Sequence, residues 1–310
     1  MVLLDIIMQK TLIEPQNKED ELILNFYLSL GKSEYNSCFS KHEFTNYQRF
    51  VLLINYIKEN KSLREFVKWL KDKSILPRKL QLKKIPSKST LDSWFSMFDI
   101  ELIKQKMRDF FKPESKILAI DGTGLETETK GNYIKKRFGL KTKSDFNKFD
   151  AIVDTKSKLI LDFEFHYKQR HDLFVFNILL QRLKFDFKYM LGDKGYYSFK
   201  IFKFLKEKGI LYVVPPKNYG KKCRGNNLIR KQFHNCYYDN EEIYPLRNIV
   251  ECVFSALKRK EFKILKMKYR EMEVSWKVLA YNIRKSILQN FILLLSFYKI
   301  KNFSRNFTNF

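Results

Sequence analysis

Cysteine is scarce in this sequence, acidic residues are outnumbered by basic ones, and no long hydrophobic run occurs. Only four of the 310 residues are cysteines and they lie far apart, so a disulfide framework is not expected. The longest apolar run, Ile287–Tyr298, contains Gln289 and Asn290 and is too short to span a bilayer. The apolar residues 1–8 are few and include Asp5, so they do not read as a signal peptide. These absences favour a soluble, cytoplasmic protein.

Positive charge is what the sequence has in excess. Lys and Arg number 60 against 34 Asp and Glu, which gives a formal net charge of +26. Aromatic residues make up 16% of the chain, so the cations lie on folded segments rather than on a disordered tail. The balance predicts a polyanionic partner, with nucleic acid the first candidate and an anionic membrane the alternative.

Residues 1–112 are predicted to form a helical region. His42–Glu59 has the spacing of an amphipathic helix, and Ser62 with Glu65 forms a capping-box pattern at the start of the next one. The basic connector Pro77–Lys84 then precedes a further short helix. This arrangement is compatible with a helix-turn-helix-like DNA reader, and an ordinary helical packing domain explains it equally well.

From Ile117 onward the pattern alternates between strands and helices. One buried strand is predicted to end at Asp121 and another at Asp193, with a hairpin and a helix between them. Two strands separated by a helix are expected to pair in parallel, and both aspartates then lie at the same edge of the sheet if their strands are neighbours. The predicted fold class is therefore α/β, a mixed sheet flanked by helices.

The stretch Tyr244–Lys258 is predicted to be one helix, with Pro245 in its first turn. Arg247, Glu251 and Lys258 fall on one stripe of this helix, opposite an aliphatic face. A carboxylate between two cations suits a metal ion held beside phosphates. Ion pairs on a solvated helix face explain the same pattern.

Asp121, Asp193 and Glu251 together form a candidate metal site. The helix that carries Glu251 can pack across the sheet and present its carboxylate at the edge where both aspartates lie. Three converging carboxylates require cations, and two Mg²⁺ ions about 4 Å apart, with Mn²⁺ as a substitute, would clamp a phosphodiester for in-line attack. Each carboxylate alone is more often structural, so the hypothesis depends on the order of the elements.

These motifs resemble the DDE transposases of bacterial and archaeal insertion sequences. The resemblance rests on three elements: Asp121-Gly122, Asp193-Lys194-Gly195-Tyr196, and Tyr244-x2-Arg247-x3-Glu251-x6-Lys258. The third element matches the Y-R-E-K signature of that family in its residues and its spacing. The resemblance implies a ribonuclease-H-like catalytic domain over residues 113–310, with a small basic insertion at about 215–243, behind the helical DNA-binding region.

The same resemblance implies a metal-dependent transposase that cleaves DNA at transposon ends and transfers the cut strands into target DNA. The three acidic residues would hold the metal ions, and DNA contacts would fall to Tyr244, Arg247 and Lys258. The implied partners are the terminal inverted repeats and target DNA, both double-stranded, in the nucleoid of a prokaryotic cell. A homodimer on DNA is expected, because two ends must be brought together.

Other residues near these motifs have more than one interpretation. Lys141, Lys143 and Lys194 flank the proposed site and are candidate phosphate contacts, although solvated lysines explain them equally well. Two further functions also stay open for the whole chain. One is a non-catalytic DNA-binding relic of the family, and the other is a stand-alone nuclease of the same fold.

Several remaining polar residues favour structural interpretations. Asp172 is predicted to be the N-cap of a helix. The carboxylates of the predicted hairpin are expected on its surface: Asp150, Asp154 and Glu164. A zinc site is conceivable in one basic loop but lacks a C-x2-C pair and a fourth ligand. Its potential ligands are Cys223, His234 and Cys236.

Overall fold

The computed structural model describes residues 15–37, 42–125, 147–168, 170–216, 228–258 and 270–307. The chain forms two compact units, one made of residues 1–106 and 275–310 and the other of residues 107–274. None of the helices in the described part of the chain combines the length and the apolar character that a membrane span requires. The α-helices are α1 Lys18–Ser29, α2 Asn46–Glu59, α3 Leu63–Asp72, α4 Leu76–Lys79, α5 Lys88–Trp94, α6 Ile100–Phe110, α7 Asp172–Arg182, α8 Phe199–Glu207, α9 Leu228–Tyr238, α10 Asn248–Lys258 and α11 Arg270–Phe307.

The first unit is helical, as predicted, and packs around aromatic side chains. Trp276 is fully buried, with its ring centroid 5.3 Å from that of Phe50 and 5.4 Å from that of Phe98. The predicted capping box at Ser62 is confirmed, because its hydroxyl accepts from the Glu65 N–H and the Glu65 carboxylate accepts from the Ser62 N–H. Burial of large rings gives this unit its core.

Helix α2 begins later than the predicted start at His42. Its N-cap is Thr45, whose hydroxyl accepts from the Gln48 N–H at 3.1 Å. The Gln48 side chain in turn accepts from the Thr45 N–H at 2.9 Å. This reciprocal cap satisfies two donors at the helix terminus and so sets the boundary at Asn46.

The second unit is built on a five-stranded mixed sheet with the strand order β3-β2-β1-β4-β5. The strands are β1 Ile117–Leu125, β2 Asn147–Asp154, β3 Ile160–His166, β4 Tyr189–Gly192 and β5 Leu211–Val213. Strands β1, β2 and β3 pair antiparallel, whereas β1, β4 and β5 pair parallel. This order and these directions are those of a ribonuclease-H-like sheet. The predicted α/β fold class, the hairpin and the parallel pairing are therefore confirmed.

Strand β1 does not end at Asp121, as the sequence pattern predicted. It continues to Leu125 because its second half pairs with β2, for example Asp121 with Ala151 and Leu125 with Asn147. Strand β2 is buried at every position, since helices α7 and α10 both pack against it. The polar second half of β1 is thus fixed by a partner strand distant in sequence.

The stretch predicted as one helix at Tyr244–Lys258 is divided in two. A 3-10 helix spans Glu241–Arg247 and contains Pro245, and the α-helix α10 begins only at Asn248. Proline has no N–H to donate, so the α-helical hydrogen bonds start after it. The preceding segment, predicted as a small basic insertion at about 215–243, is helical over residues 228–238, which form α9 and bury Phe233.

Candidate active site

The two aspartates lie at one edge of the sheet, immediately beyond the parallel pairing of β1 and β4. The last parallel pair in the register is Ile120 with Gly192. Asp121 is the next residue on β1 and Asp193 is the first residue after β4, so the two residues follow the same strand pair side by side. The sequence prediction that both aspartates meet at one edge of the sheet is confirmed.

Arg247 connects the helical element to this edge. One guanidinium nitrogen, Nη1, lies 3.1 Å from Asp121 Oδ2, and the other, Nη2, lies 2.6 Å from Glu251 Oε1. The Arg247 and Asp121 side chains are each only 16% exposed. A single cation therefore bridges a strand carboxylate and a helix carboxylate in a partly buried place.

Burial dominates the electrostatics of Asp121. It raises the pKa of the Asp121 carboxyl to about 6, with smaller increases from the charges of Asp193 and Glu251. The Gly122 N–H and the Arg247 charge act in the opposite direction. Burial lowers the pKa of Arg247, but its carboxylate partners outweigh that effect and raise the pKa overall. The site therefore gathers more negative charge than Arg247 alone neutralises.

Three other residues predicted to contact DNA belong to the described part of the chain, and they lie around this edge of the sheet. Lys258 is exposed and donates to Thr123 Oγ1 on β1 at 2.5 Å. Lys194 is exposed beside Asp193, and Tyr244 is half-buried with its ring 5.3 Å from that of Tyr237. The predicted contacts at residues 141 and 143 lie outside the described residues.

The chemistry of the donor set fits a hard divalent cation. All three acidic residues offer carboxylate oxygens, which are the ligands that Mg²⁺ prefers. The Arg247 guanidinium places one cation between Asp121 and Glu251. Within the described ranges, no group of three His, Cys, Asp or Glu side chains is close enough to hold a metal ion.

Buried charges occupy the neighbouring strand, where the sequence predicted surface groups. Asp150 is fully buried, and its Oδ1 lies 2.9 Å from Lys148 Nζ and accepts from the Tyr196 hydroxyl at 3.3 Å. Asp154 is also buried, and accepts from the backbone N–H groups of Glu114, Ser115 and Ser157. The surface prediction was wrong because β2 lies inside the sheet and is covered on both faces.

Glu164 is closer to that prediction, since it keeps partial exposure on strand β3. Its side chain is 13% exposed and pairs with Arg182 of α7. Arg182 also donates to Asp162 at 2.8 Å, so this cluster ties α7 to the sheet. This cluster lies on β3, an edge strand that is separated from β4 by β2 and β1.

Helix α7 is capped differently from the prediction. Its N-cap is His171, whose Nδ1 accepts from the Leu173 N–H at 3.3 Å. Asp172 is the first helical residue, and its carboxylate pairs with Lys148 instead. The difference arises because Lys148 is a stronger partner for the carboxylate than a backbone N–H of the first turn.

The potential zinc ligands have other partners where they are described. His234 Nε2 is hydrogen-bonded to the Tyr197 hydroxyl at 3.0 Å, and Cys236 Sγ donates to the Tyr212 carbonyl at 3.5 Å. Both lie on α9, two residues apart, so they project from different sides of the helix. The third potential ligand, at position 223, lies outside the described residues.

Residues 112–283 match the family model described as the transposase DDE domain. The match covers more than half of the chain, so this protein belongs to the DDE transposase family. Among solved structures, it is similar to the cryo-EM structure of the piggyBac transposase synaptic complex with hairpin DNA. The two chains are 10% identical with a TM-score of 0.44, and the alignment covers 91% of this chain and 77% of that one. No curated protein matches the chain significantly.

Proposed function

We propose that this protein is a metal-dependent DNA transposase of the insertion-sequence type, which cleaves DNA at transposon ends and transfers the strands into target DNA. The observation that carries the proposal is the Arg247 guanidinium, which joins Asp121 to Glu251 at the sheet edge where Asp193 also emerges. Membership of the DDE transposase family supports the same reading, as does the Tyr-Arg-Glu-Lys spacing from Tyr244 to Lys258.

The proposed catalytic and metal-binding residues are Asp121, Asp193 and Glu251. They would hold two Mg²⁺ ions, with Mn²⁺ as a substitute, and the ions would supply an activated water or 3′-hydroxyl and stabilise the leaving oxygen. Asp121 is well placed for this role because its buried carboxylate lies among other negative charges. Burial also keeps competing water away from the reacting groups.

The proposed DNA contacts are basic or aromatic groups around the same edge. Arg247 carries a planar guanidinium that suits two-point binding of a phosphate. Lys258 donates to Thr123 Oγ1, which holds its charge beside β1, two residues after Asp121. The other proposed contacts are Tyr244, Lys194, Lys141 and Lys143.

The proposed partners are transposon ends and target DNA, both double-stranded. A net charge of +26 favours binding along many phosphates, with a steep dependence on salt. We assign end recognition to residues 1–112 and chemistry to residues 113–310, and we expect a homodimer on DNA because two ends must be joined. The basic segment at about 215–243 would be a small insertion in the catalytic domain.

The test is cleavage and strand transfer with DNA that carries the inverted repeats flanking the gene, in Mg²⁺ or Mn²⁺. Wild type should cut and join, whereas Glu251→Gln, Asp121→Asn and Asp193→Asn should lose both activities. The loss should exceed the roughly 10- to 100-fold effects typical of groups outside the metal shell. Glu207→Gln, an exposed carboxylate at the end of α8, is the matched control and should be unaffected.

Two other outcomes would point to different functions. The ion pairs of Arg247 with Asp121 and Glu251 also suit a protein that binds DNA without cutting it, because they neutralise the carboxylates without a metal. End binding without cleavage by any variant would support that non-catalytic function. Cleavage without strand transfer or preference for the ends would instead indicate a nuclease.

A further inference from the structure

A cluster of charges made of Lys148, Asp150 and Asp172 lies beside the two aspartates, and its Lys148 and Asp150 members are buried. Lys148 Nζ lies 2.9 Å from Asp150 Oδ1 and also pairs with Asp172 Oδ1. The Lys148 side chain is only 7% exposed and that of Asp150 is fully buried, whereas that of Asp172 is 39% exposed. Lys148 also donates to the Arg170 carbonyl at 3.0 Å. The cluster therefore links β2 to the start of α7.

One end of this cluster packs directly against the backbone that follows Asp121. A Cβ atom built on Gly122 would lie 2.4 Å from Asp150 Oδ1 and 3.3 Å from Lys148 Cε. Real side chains do not approach this closely, so only glycine fits at position 122 without displacing Asp150. Asp150 and Lys148 thus define where the backbone next to Asp121 can lie.

The other end packs against the segment that carries Asp193. A Cβ atom built on Gly195 would lie 3.1 Å from Asp172 Oδ2 and 3.0 Å from Asp193 Oδ1. The Gly195 N–H donates to Asp193 Oδ1 at 2.8 Å. The following residue, Tyr196, donates its hydroxyl to Asp150. The cluster consequently contacts the turn after β4 from two sides.

These contacts lie where the pairing between β1 and β4 has stopped, although β1 itself stays paired with β2. The ladder between β1 and β4 ends at Ile120 and Gly192, one residue before the aspartates. Beyond that point, the contacts of the cluster with Gly122 and Gly195 connect the two segments. Side chains locked by ion pairs and packing hold a site more accurately than loop backbone alone.

We propose that Lys148, Asp150 and Asp172 are positioning residues, which hold the backbone segments of Asp121 and Asp193 next to one another so that the two carboxylates can share a metal ion. This inference rests on the proposed function, because it assigns those two carboxylates to a metal. The three residues are not catalytic, since their contacts are with the segments on either side and not with a reacting group. Their role resembles that of outer groups that orient metal ligands in other proteins.

The test compares Asp172→Asn with Asp186→Asn in the full-length protein. Both aspartates pair with a lysine, but Asp186 is 90% exposed on a distant loop and pairs with Lys116. Mn²⁺ binding is measured by electron paramagnetic resonance, and cleavage is measured across a Mn²⁺ titration. Asp172→Asn should weaken Mn²⁺ binding and raise the half-saturating concentration about 10- to 100-fold, whereas Asp186→Asn should match wild type.

Removal of a nearby negative charge weakens cation binding even without any movement, so a charge-neutral variant is also needed. Gly195→Ala changes no charge but places a methyl group against both Asp172 and Asp193. It should also weaken Mn²⁺ binding, while binding of end DNA stays close to wild type. Asp172→Glu, which keeps the charge, should bind Mn²⁺ more tightly than Asp172→Asn.

The outcomes separate this inference from the proposed function. If wild type binds Mn²⁺ without cutting DNA, the proposed function fails, and weaker Mn²⁺ binding by Asp172→Asn and Gly195→Ala still supports the positioning role. If both variants bind Mn²⁺ like wild type, the positioning role is wrong whether or not the protein cuts. Absence of Mn²⁺ binding by wild type would overturn both.

Discussion

Asp121 should destabilise the folded protein at neutral pH when no metal is present, so Asp121→Asn should be more stable than wild type. The carboxylate is largely removed from water, and its pKa is raised to about 6, chiefly by burial. Asparagine has nearly the same shape but cannot ionise. The substitution therefore removes a buried charge while it keeps the volume of the side chain.

The expected gain follows from the difference between the folded and unfolded pKa values. A rise from 3.8 to about 6 corresponds to roughly 3 kcal/mol of unfolding free energy at a pH well above 6. The unfolded chain releases this proton near pH 4 and the folded protein only near pH 6. Wild-type stability thus falls as pH rises through that window. The advantage of Asp121→Asn should be complete above it and absent below it.

The assay is urea unfolding in EDTA, followed by far-UV circular dichroism between pH 4 and 7.5. The matched control is Asp186→Asn, because that side chain is 90% exposed and its removal should change little at any pH. Addition of Mg²⁺ should stabilise wild type and not Asp121→Asn. A variant less stable than wild type at pH 7.5, or a difference equal at pH 4 and 7.5, would refute the reasoning.

Three further predictions concern DNA binding and the first unit. Lys258→Gln should weaken binding to all DNA sequences alike and lower the slope of log affinity against log salt by about 1, measured by fluorescence anisotropy. Ser62→Ala should lower the unfolding free energy by about 1 kcal/mol, because it removes the acceptor for the Glu65 N–H. Trp276→Ala should lower it by about 3–5 kcal/mol, because the ring is fully buried. Both losses are measured by urea unfolding, and normal stability of either variant would contradict the packing described.

The sequence predicted the parallel direction of the two central strands, but not the strand order of the whole sheet. The strand before Asp121 and the strand before Asp193 are separated by a hairpin and a helix, and their expected parallel pairing is observed between β1 and β4. The length of β1 could not be predicted, because Asp121-Gly122-Thr123-Gly124 has the composition of a turn. Pairing with β2 keeps this segment extended, and that partner lies beyond the range of local propensity.

The sequence singled out the three acidic residues of the candidate site, but it did not single out Lys148 and Asp150, which lie buried beside them. Lys148 and Asp150 alternate along a strand, so they share one face of it, and this spacing was the available signal. Charged residues in a hairpin usually face water, which favoured the surface interpretation. This face is buried because helices α7 and α10 pack against β2. The positions of these helices cannot be predicted from a local sequence pattern.

The early end of the β1–β4 ladder has a physical reason in the residues that follow it. One more parallel pair would place Asp121 opposite Asp193, and like charges directly opposite one another destabilise a sheet. The turn after β4 releases that pair from the ladder, and the Asp193 carboxylate then accepts from the Gly195 N–H instead. Asp121 stays paired with Ala151 of β2, whereas Asp193 lies beyond the end of β4, so a site that brings the two carboxylates together needs both a cation and a second support for the turn after β4. Within the described structure, Arg247 supplies the cation. The cluster of Lys148, Asp150 and Asp172 is placed to supply the support for the turn.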